Sequence, residues 1–468
     1  MRIGLSRFAR MDTLDIAFTE TRRFLGSLDT LPAASRGSPA DMRACLPGRF
    51  PAVGLPADDV VRAIASAAGP GLTGNATGRF FAWVKGGALP AALATDIMCS
   101  AWDQNVALAS TSPAGAVLEE LAGQFLLEAL GLPQGSSFAF VTGCQMAHTT
   151  ALAAARHAVL ERVGWDVEAR GLIGAPAIRV LANAHYHGSV PRALRLLGLG
   201  TDCITPLGGG EPGRIAAESL QAALGEAPGA PTILCLNAGD LNIGAFDTFS
   251  ELCPIAQAAG AWVHVDGAFG LWAAASPRFA RAVAGIDLAD SWATDGHKWL
   301  NTPYDCGMAI TRHPAAHSAA MRHAAAYLTT GGPVRDPMDF NPEWSRRARA
   351  LPVLAALMEL GRDGLCALIE RCCDHAAAIY DGLAALPGAT GLARPTLNQG
   401  LVRFEDRRGA NISDAVIAAI NASGEAFMSG GGWNGERVMR ISVCGWNTTA
   451  DDVARTLAAA KKALEGLR

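Results

Sequence analysis

The sequence predicts an α/β protein with a mainly parallel central sheet flanked by helices, plus a smaller C-terminal α+β lobe. Between residues 90 and 335, short apolar runs such as AIRVLANA, TILCLNAG and AWVHVDGAFG alternate with helical segments such as AGAVLEELAGQFLLEALGL. This alternation is typical of a parallel sheet covered on both faces. Gly and Pro then cluster in TTGGPVRDPMDFNPEW, which indicates a boundary between lobes. A chain of 468 residues is also too long for one compact core.

We expect three regions along the chain. Residues 1–90 form an N-terminal arm, whose helical pieces are broken by Pro and Gly in LPGRFPAVGLP and AAGPGLTGNATG. Residues 91–340 form the large domain, and residues 341–468, with a long helix that begins near Ser345, form the small one. The arm is apolar but too broken to fold alone, which is consistent with burial against a second chain.

The composition excludes several classes of protein. Half of the residues are hydrophobic, 18% are charged, and the net charge is -4, so neither nucleic acid nor an anionic membrane is an expected partner. The eleven cysteines show no CxxC pair or Cys/His spacing, which favours reduced thiols in a cytoplasmic protein without a metal. We see no signal-peptide core, and no apolar run approaches the roughly 18 residues of a membrane span.

Four candidate groups stand at the carboxyl ends of predicted strands, and the last of them, Lys298, is preceded by a polar lead-in, SWATD. VTGCQMAHTT reads as strand, glycine and helix, and a helix N-terminus suits a phosphate. Asp266 ends the run VHVD, and a buried carboxylate needs a partner such as a protonated ring nitrogen. AHYHGSV offers His185 and His187, either of which can stack on a flat ring. Lys298 lies between His and Trp, where we expect it to lose its proton and become a nucleophile.

Each of these groups alone also fits an ordinary role: a turn, a helix cap, a core histidine or a surface lysine. Together they supply a phosphate site, an anion for a ring nitrogen, a stacking imidazole and an amine that traps an aldehyde. Pyridoxal 5'-phosphate requires this set. Because ligands bind at the carboxyl ends of strands in open parallel sheets, we expect the four groups to converge there.

The sequence resembles the group II pyridoxal-phosphate-dependent decarboxylases, the family of aromatic-L-amino-acid and glutamate decarboxylases. DGHKWLNTPYDCG is similar to the lysine signature of that family, VHVDGAFG to its Asp-x-Ala stretch and AHYHGSV to its His-x-Ser-Val stretch. RFFAWVKGGALPAALATDIMCSAWDQNV is similar to its N-terminal pocket segment, and SRRARALPVLAALMELGRDGL to the start of its C-terminal lobe. The resemblance implies a fold-type I enzyme that forms homodimers with shared active sites.

The resemblance also implies roles for individual residues. Lys298 would form an imine with the cofactor aldehyde, Asp266 would pair with the pyridine nitrogen, and Ala268 would touch the ring. His187, rather than His185, aligns with the stacking histidine because Gly-Ser-Val follows it.

Two further sets of residues are implied by the same resemblance. The phosphate would contact Gly143, Cys144 and Gln145, with His297 nearby. Tyr327 in AAAYLTTGG matches the tyrosine of a mobile loop, which protonates the carbon left after CO2 departs. An ordinary loop aromatic is the alternative reading of Tyr327.

The chain departs from the family pattern at three places. The phosphate turn commonly reads Gly-Gly-Ser-Glu-Ala, but residues 143–147 read GCQMA. Asp295 stands where many relatives have asparagine, and its carboxylate would repel a phosphate unless it faces away or meets Arg or Lys. Leu241 stands where aromatic decarboxylases often have threonine near the ring.

The substrate is less well defined by the sequence than the cofactor. Trp83, Val84 and Trp102 are candidates for an apolar substrate pocket or for plain core, and Arg440 could bind a substrate carboxylate or tie the lobes together. We expect decarboxylation of an L-amino acid, with an aromatic substrate slightly favoured. An aldehyde synthase, a lyase, an aminotransferase and a catalytically silent scaffold are the alternatives.

Overall fold

The computed structural model describes residues 9–323 and 334–467, which form fourteen α-helices and eleven β-strands. The helices are α1 Ala9–Gly26, α2 Pro39–Ala44, α3 Ala57–Ala68, α4 Pro90–Trp102, α5 Pro113–Ala129, α6 Cys144–Glu161, α7 Val167–Arg170, α8 Ser189–Leu196, α9 Ala217–Gly225, α10 Phe249–Ala258, α11 Pro314–Met321, α12 Ala350–Ala384, α13 Ser413–Ser423 and α14 Ala450–Leu467. The strands are β1 Ser137–Val141, β2 Arg179–Asn183, β3 Ile204–Leu207, β4 Thr232–Asn237, β5 Trp262–Asp266, β6 Ser291–Asp295, β7 Gly307–Thr311, β8 Ala389–Ala393, β9 Gln399–Phe404, β10 Ser429–Trp433 and β11 Glu436–Ser442.

Seven strands form the central sheet, in the order β1-β7-β6-β5-β4-β2-β3. Strands β2 to β6 pair in parallel, and β7 runs antiparallel to both of its neighbours. Every residue of β1, β4, β5, β6 and β7 is buried, because helices cover both faces. The predicted mainly parallel sheet is therefore confirmed, and its burial explains why the sequence shows unbroken apolar runs.

The C-terminal lobe contains a second sheet, which is antiparallel with the order β10-β11-β9-β8. Helix α12 packs on β8 and β9, and α13 packs on β11 and α14. The predicted α+β lobe is confirmed. The domain boundaries proposed from the sequence stay a prediction. In the part of the chain described here, no helix combines the length and the apolar character needed to cross a membrane.

Two local expectations need correction. The polar stretch SWATD, read as a lead-in to the lysine, is the buried strand β6, because its polar side chains find hydrogen-bond partners inside the protein. The long helix begins at Ala350 rather than near Ser345. The backbone N–H of Arg346 is held by Asn105 instead, at 3.2 Å. Helix α12 is also interrupted at Gly361, which has φ 58°.

The N-terminal arm is joined to the C-terminal lobe by a buried arginine. The guanidinium of Arg79 donates to the carbonyl oxygens of Asp29 at 3.2 Å and Leu31 at 3.0 Å in the arm. It also donates to the carbonyl of Glu425 at 2.7 Å and to the Asp452 carboxylate at 3.3 Å in the lobe. The arm therefore packs on residues that lie far away in the sequence.

A buried ion cluster connects helix α5 with the segment before α12. Glu119 is fully buried, and its carboxylate lies 3.2 Å from Arg335 Nη1 and 2.6 Å from Arg346 Nη2. Two arginines therefore share one fully buried carboxylate, Arg346 being buried with it and Arg335 nearly so. Removing that carboxylate would leave two buried cations without an anion.

We predict that Glu119→Gln lowers the free energy of unfolding by about 3–5 kcal/mol, because breaking a buried pair leaves uncompensated charge. Denaturant unfolding of the purified protein measures the change. Glu128→Gln, at an exposed position of the same helix, is the matched control and should change stability by less than about 0.5 kcal/mol. Equal stability of the two variants would contradict the prediction.

Candidate active site

The side chains singled out in the sequence meet at the carboxyl edge of the central sheet. Gly143 follows β1, the His185–His187 region follows β2, Asp266 ends β5, and Lys298 follows β6. His185, His187, Asp266 and Lys298 all line one small cavity at this edge. Three of the four expected groups therefore share this cavity, and the fourth, the start of α6, is linked to Lys298 through Asp295.

Lys298 forms an ion pair inside this cavity. Its Nζ lies 3.0 Å from Asp295 Oδ2, and only 20% of its side chain is exposed. Burial lowers the pKa of Lys298, but the Asp295 carboxylate outweighs burial, and the net pKa lies above its ordinary value. The expectation that Lys298 loses its proton is therefore wrong for this structure. The anion paired with Lys298 reverses the effect that burial alone would have on its pKa.

The Asp295 carboxylate also caps helix α6. Its Oδ1 accepts a hydrogen bond of 2.6 Å from the backbone N–H of Cys144, the first residue of α6. The same oxygen lies 3.5 Å from His297 Nε2. An anionic oxygen thus already lies at the helix N-terminus, as expected for a site with free N–H groups and a partial positive charge. The sequence left open whether Asp295 faces away from the phosphate site or pairs with an arginine or lysine. The structure shows that it pairs with Lys298.

Asp266 is a buried carboxylate with several partners. Its Oδ1 accepts a hydrogen bond of 3.1 Å from the Ala268 N–H, and its Oδ2 lies 3.4 Å from His148 Nε2. Burial raises the pKa of this carboxyl, but His148 and the cationic groups around the cavity lower it more. The net pKa of Asp266 lies well below its ordinary value. Asp266 is therefore an anion at neutral pH.

The two histidines after β2 are held in different ways. His187 Nδ1 lies 2.7 Å from the Ser189 hydroxyl and 3.2 Å from the Ser189 N–H. Burial lowers the pKa of His187, which favours the neutral ring. The ring of His185 instead packs on Trp433, with 5.5 Å between ring centroids. The preference for His187 as the stacking residue stays a prediction.

The residues predicted to contact a phosphate lie at the start of α6. A Cβ added at Gly143 would lie 3.3 Å from His297 Cε1, so the backbone comes close to that ring. The thiol of Cys144 is buried, and burial raises its pKa well above the ordinary value. The Gln145 amide donates to the Ser189 carbonyl at 3.2 Å, so this side chain holds α8. His297 stacks on Tyr304 at 4.2 Å.

The proposed substrate residues are less closely grouped. Trp83 is 53% exposed and stacks with Phe80 and Phe427, and Trp102 is 51% exposed at the end of α4; neither lines the cavity. Arg440 is buried and donates to the carbonyl of Leu241, a residue of the cavity wall, at 2.8 Å. Val84 is buried. Tyr327 lies outside the described residues.

Sequence reasoning missed Asn301, which follows the lysine closely. Its Oδ1 accepts hydrogen bonds from the N–H groups of Gly87 at 2.6 Å and Trp446 at 3.0 Å. Its Nδ2 donates to the carbonyls of Trp299 at 2.8 Å and Cys444 at 2.9 Å. Asn301 has φ 54°, a left-handed conformation that asparagine tolerates better than most residues. The only sequence signal was a polar residue after the buried pair WL.

His148 and His264 were also missed, although both lie in motifs that the sequence analysis quoted. His148 approaches Asp266 from α6, and its Nδ1 lies 2.8 Å from His264 Nε2. His264 lies two residues before Asp266, so both side chains point to the same face of β5. Strand alternation relative to Asp266 could have indicated His264, but nothing in the sequence indicates His148.

Comparisons with known proteins agree with this geometry. The chain matches the family described as the pyridoxal-dependent decarboxylase conserved domain over residues 39–405. It is 29% identical over 377 residues to L-2,4-diaminobutyrate decarboxylase of Rhizobium meliloti (strain 1021), covering 78% of this chain and 74% of that protein. It is 27% identical over 431 residues to 4-hydroxyphenylacetaldehyde synthase of Rhodiola rosea, covering 87% and 85%. Its fold is similar to that of Oryza sativa TDC, solved with PLP and tryptamine, with a TM-score of 0.91, 23% identity and complete coverage of both chains.

The fold and the site define a pyridoxal-phosphate enzyme. A lysine amine, an ionised carboxylate and an imidazole share one cavity, and a helix N-terminus that already holds an anionic oxygen lies beside it. These residues fit the amine, ring-nitrogen and phosphate contacts that pyridoxal phosphate needs. The chain belongs to the pyridoxal-dependent decarboxylase family, and its cofactor is pyridoxal 5'-phosphate.

We predict that Asp295→Asn tightens the binding of pyridoxal phosphate by about tenfold, which corresponds to about 1.4 kcal/mol. The substitution removes a carboxylate that competes with the phosphate for the start of α6 and keeps the Lys298 amine protonated. Titration of the cofactor-free protein with pyridoxal phosphate, followed by absorbance, measures the dissociation constant.

The matched control is Asp290→Asn, just before the other end of β6. Asp290 is also buried, and it accepts from the Val263 N–H at 2.8 Å and lies 2.8 Å from His313 Nε2. Its substitution should reduce stability without changing cofactor affinity. Weaker binding by Asp295→Asn would show that the carboxylate supports the cofactor rather than competing with it.

Proposed function

We propose that this protein decarboxylates an L-amino acid to the corresponding amine and CO2, with an aromatic substrate slightly favoured. The observation that carries the proposal is the shared cavity of the Lys298 amine and the ionised Asp266 carboxylate, with His187 in its wall. Membership of the pyridoxal-dependent decarboxylase family supports the reaction class. The aromatic preference draws support from the relative named for an aromatic aldehyde, whereas the diaminobutyrate relative supports a different side chain.

When bound, the cofactor supplies an electron sink for negative charge at the substrate α-carbon. The protein residues around the cavity then have distinct tasks. Lys298 would hold the cofactor through its amine. Asp266 would favour a protonated pyridine nitrogen, because an anion next to that atom favours its charged form. His187, whose pKa burial lowers, would stack on the ring.

The start of α6 binds the phosphate through its backbone N–H groups, with Gly143, Cys144 and Gln145 at the turn and His297 beside it. The orientation of the substrate decides which bond at the α-carbon breaks, because only a bond perpendicular to the ring overlaps its π electrons. Residues that fix the substrate carboxylate therefore select decarboxylation over transamination.

Arg440 is our candidate for the group that fixes the substrate carboxylate. Its guanidinium is buried, and burial lowers its pKa, although Asp240 opposes this effect. One nitrogen donates to the Leu241 carbonyl, while Nε has no hydrogen-bond partner among the described residues. A buried unpaired donor next to the cavity suits a carboxylate ligand. A role in tying the two lobes is the alternative.

The proposed assembly is a homodimer with shared active sites. The arm carries large apolar side chains that a single chain leaves exposed, namely Phe50, Val53 and Leu55. A second subunit would bury such side chains. All eleven cysteines are unpaired, which supports a cytoplasmic location.

An aldehyde synthase, which would consume oxygen, is the second candidate, because several relatives are named aldehyde synthases. Tyr327 argues against it, since the family resemblance assigns this tyrosine to protonation of the α-carbon after CO2 leaves. The two reactions differ in products. Decarboxylation yields the amine, whereas the oxidative reaction yields an aldehyde, ammonia and hydrogen peroxide.

We predict that the cofactor-loaded protein releases CO2 from at least one common L-amino acid with an equal amount of amine. Lys298→Ala should abolish this activity, and borohydride reduction followed by peptide mapping should place the cofactor label on Lys298. Lys461→Ala, at an exposed lysine of α14, is the control and should keep full activity. A label on another residue, or an α-keto acid as the product, would refute the proposal.

We also predict that Tyr327→Phe lowers amine formation at least about 100-fold, as expected when a general acid is lost. Aldehyde and hydrogen peroxide should rise at the same time, because the unprotonated carbon is left to react with oxygen. Amine and peroxide assays at a fixed oxygen concentration measure both. Tyr380→Phe is the control. Unchanged amine formation in Tyr327→Phe would assign Tyr327 to an ordinary loop position.

A further inference from the structure

A chain of buried polar side chains leads away from Asp266 into the interior. Beyond the contact between Asp266 Oδ2 and His148 Nε2 at 3.4 Å, His148 Nδ1 lies 2.8 Å from His264 Nε2. His264 Nδ1 lies 2.9 Å from the Ser291 hydroxyl, which accepts a hydrogen bond of 2.9 Å from the Trp262 indole N–H. His148, His264, Ser291 and Trp262 are all completely buried.

The chemistry of the groups at its two ends fixes the donor-to-acceptor direction of this series of hydrogen bonds. The Trp262 indole can only donate, so the Ser291 oxygen accepts from it. Among the described residues, the acceptor that remains for the Ser291 hydroxyl hydrogen is His264 Nδ1. Burial, followed by the influence of His148, lowers the pKa of His264 to about 3, so this ring is neutral and carries one proton. That proton must lie on Nε2, directed at His148 Nδ1.

His148 completes the series. Its Nδ1 accepts from His264, so its own proton lies on Nε2, which is 3.4 Å from both Asp266 Oδ2 and Cys144 Sγ. The other end of the chain is an ionised carboxylate, which can only accept. The donors from Trp262 to His264 therefore all face the Asp266 end of the series, and of the two atoms next to His148 Nε2 the carboxylate is the stronger acceptor. Hydrogen bonds in such a series strengthen one another in a medium of low dielectric.

We propose that His148, His264, Ser291 and Trp262 form a relay that keeps Asp266 ionised and oriented toward the ring nitrogen of the cofactor. His148 and His264 are thus positioning residues, which act through Asp266 and do not touch the substrate. This inference rests on the proposed function, because that function places Asp266 next to the ring nitrogen. Without the relay, a buried carboxylate would tend to take up a proton and lose its hold on a protonated pyridine.

A metal ion is the competing explanation for part of this arrangement. Cys144 Sγ, His148 and Asp266 offer donor atoms that lie within 4.8 Å of one another. A metal would need the lone pair of His148 Nε2 and a thiolate. The relay places a proton on that nitrogen, and burial raises the pKa of Cys144, which keeps the thiol protonated.

The test compares two ligands, pyridoxal phosphate and its analogue with a carbon in place of the ring nitrogen. Both dissociation constants are measured on cofactor-free protein. The dissociation constant of the analogue divided by that of pyridoxal phosphate reports the contact with the ring nitrogen. Wild type should bind pyridoxal phosphate about 10- to 100-fold more tightly than the analogue, as expected for a charged hydrogen bond. Asp266→Asn should reduce this ratio to near one.

The relay variants then separate positioning from packing. His264→Leu should lower the ratio about fivefold to tenfold, because it removes the donor to His148. His264→Gln should keep the ratio within about twofold of wild type, since an amide can both accept from Ser291 and donate to His148. Should His264→Leu fail to fold, Ser291→Ala breaks the next link and should lower the ratio by at least about twofold.

His317→Leu is the matched control. His317 is also fully buried and also lies 2.8 Å from a serine hydroxyl, that of Ser137, but it belongs to α11. Its substitution should lower thermal stability and leave the ratio unchanged.

Each outcome has a distinct meaning. A wild-type ratio near one would refute both the placement of Asp266 and the relay. A wild-type ratio that Asp266→Asn abolishes but His264→Leu and Ser291→Ala preserve would refute the relay alone. One bound metal ion per chain in the purified protein, lost in His148→Ala, would also overturn the relay.

Discussion

Charge compensation in a buried space is the constraint on which this site depends. One lysine, two carboxylates and several imidazoles lie at the edge of the sheet where little water reaches them, and an isolated charge there would be strongly unfavourable. Lys298 and Asp295 neutralise each other, and the start of α6 adds an N–H to the same carboxylate. Asp266 depends on imidazole protons instead. The segments after β1, β5 and β6 are thereby linked to one another.

The central sheet could be predicted because its strands are buried on both faces. Such strands are apolar throughout, so β2, β4 and β5 were recognisable as short runs, and the residues after them had to share one edge. Lys298, Asp266 and the two histidines therefore came together as expected. The functional side chains were recognisable because the four groups together, rather than any one alone, form the set that pyridoxal phosphate requires.

What escaped prediction depends on partners that are distant in sequence. Strand β6 has a polar sequence. Its burial becomes understandable only from contacts such as the hydrogen bond between Ser291 and Trp262, which lies 29 residues earlier. His148 becomes meaningful only beside His264, 116 residues later. The charge of Lys298 depends on its pairing with Asp295, three residues earlier, which periodicity does not reveal. Trp83 was proposed from its residue type alone, and its aromatic neighbours lie away from the cavity.

Asn301 has a consequence for how the chain can be divided. Its one amide group joins the segment before α4, the loop that carries the lysine, and the segment after β11, through four backbone contacts. A fragment made of the large domain alone would retain Trp299 but lose Gly87, Cys444 and Trp446. The loop that carries Lys298 would then lose three of the four hydrogen bonds that Asn301 makes. Truncation or limited proteolysis should therefore yield no autonomous cofactor-binding unit, despite the two separate sheets.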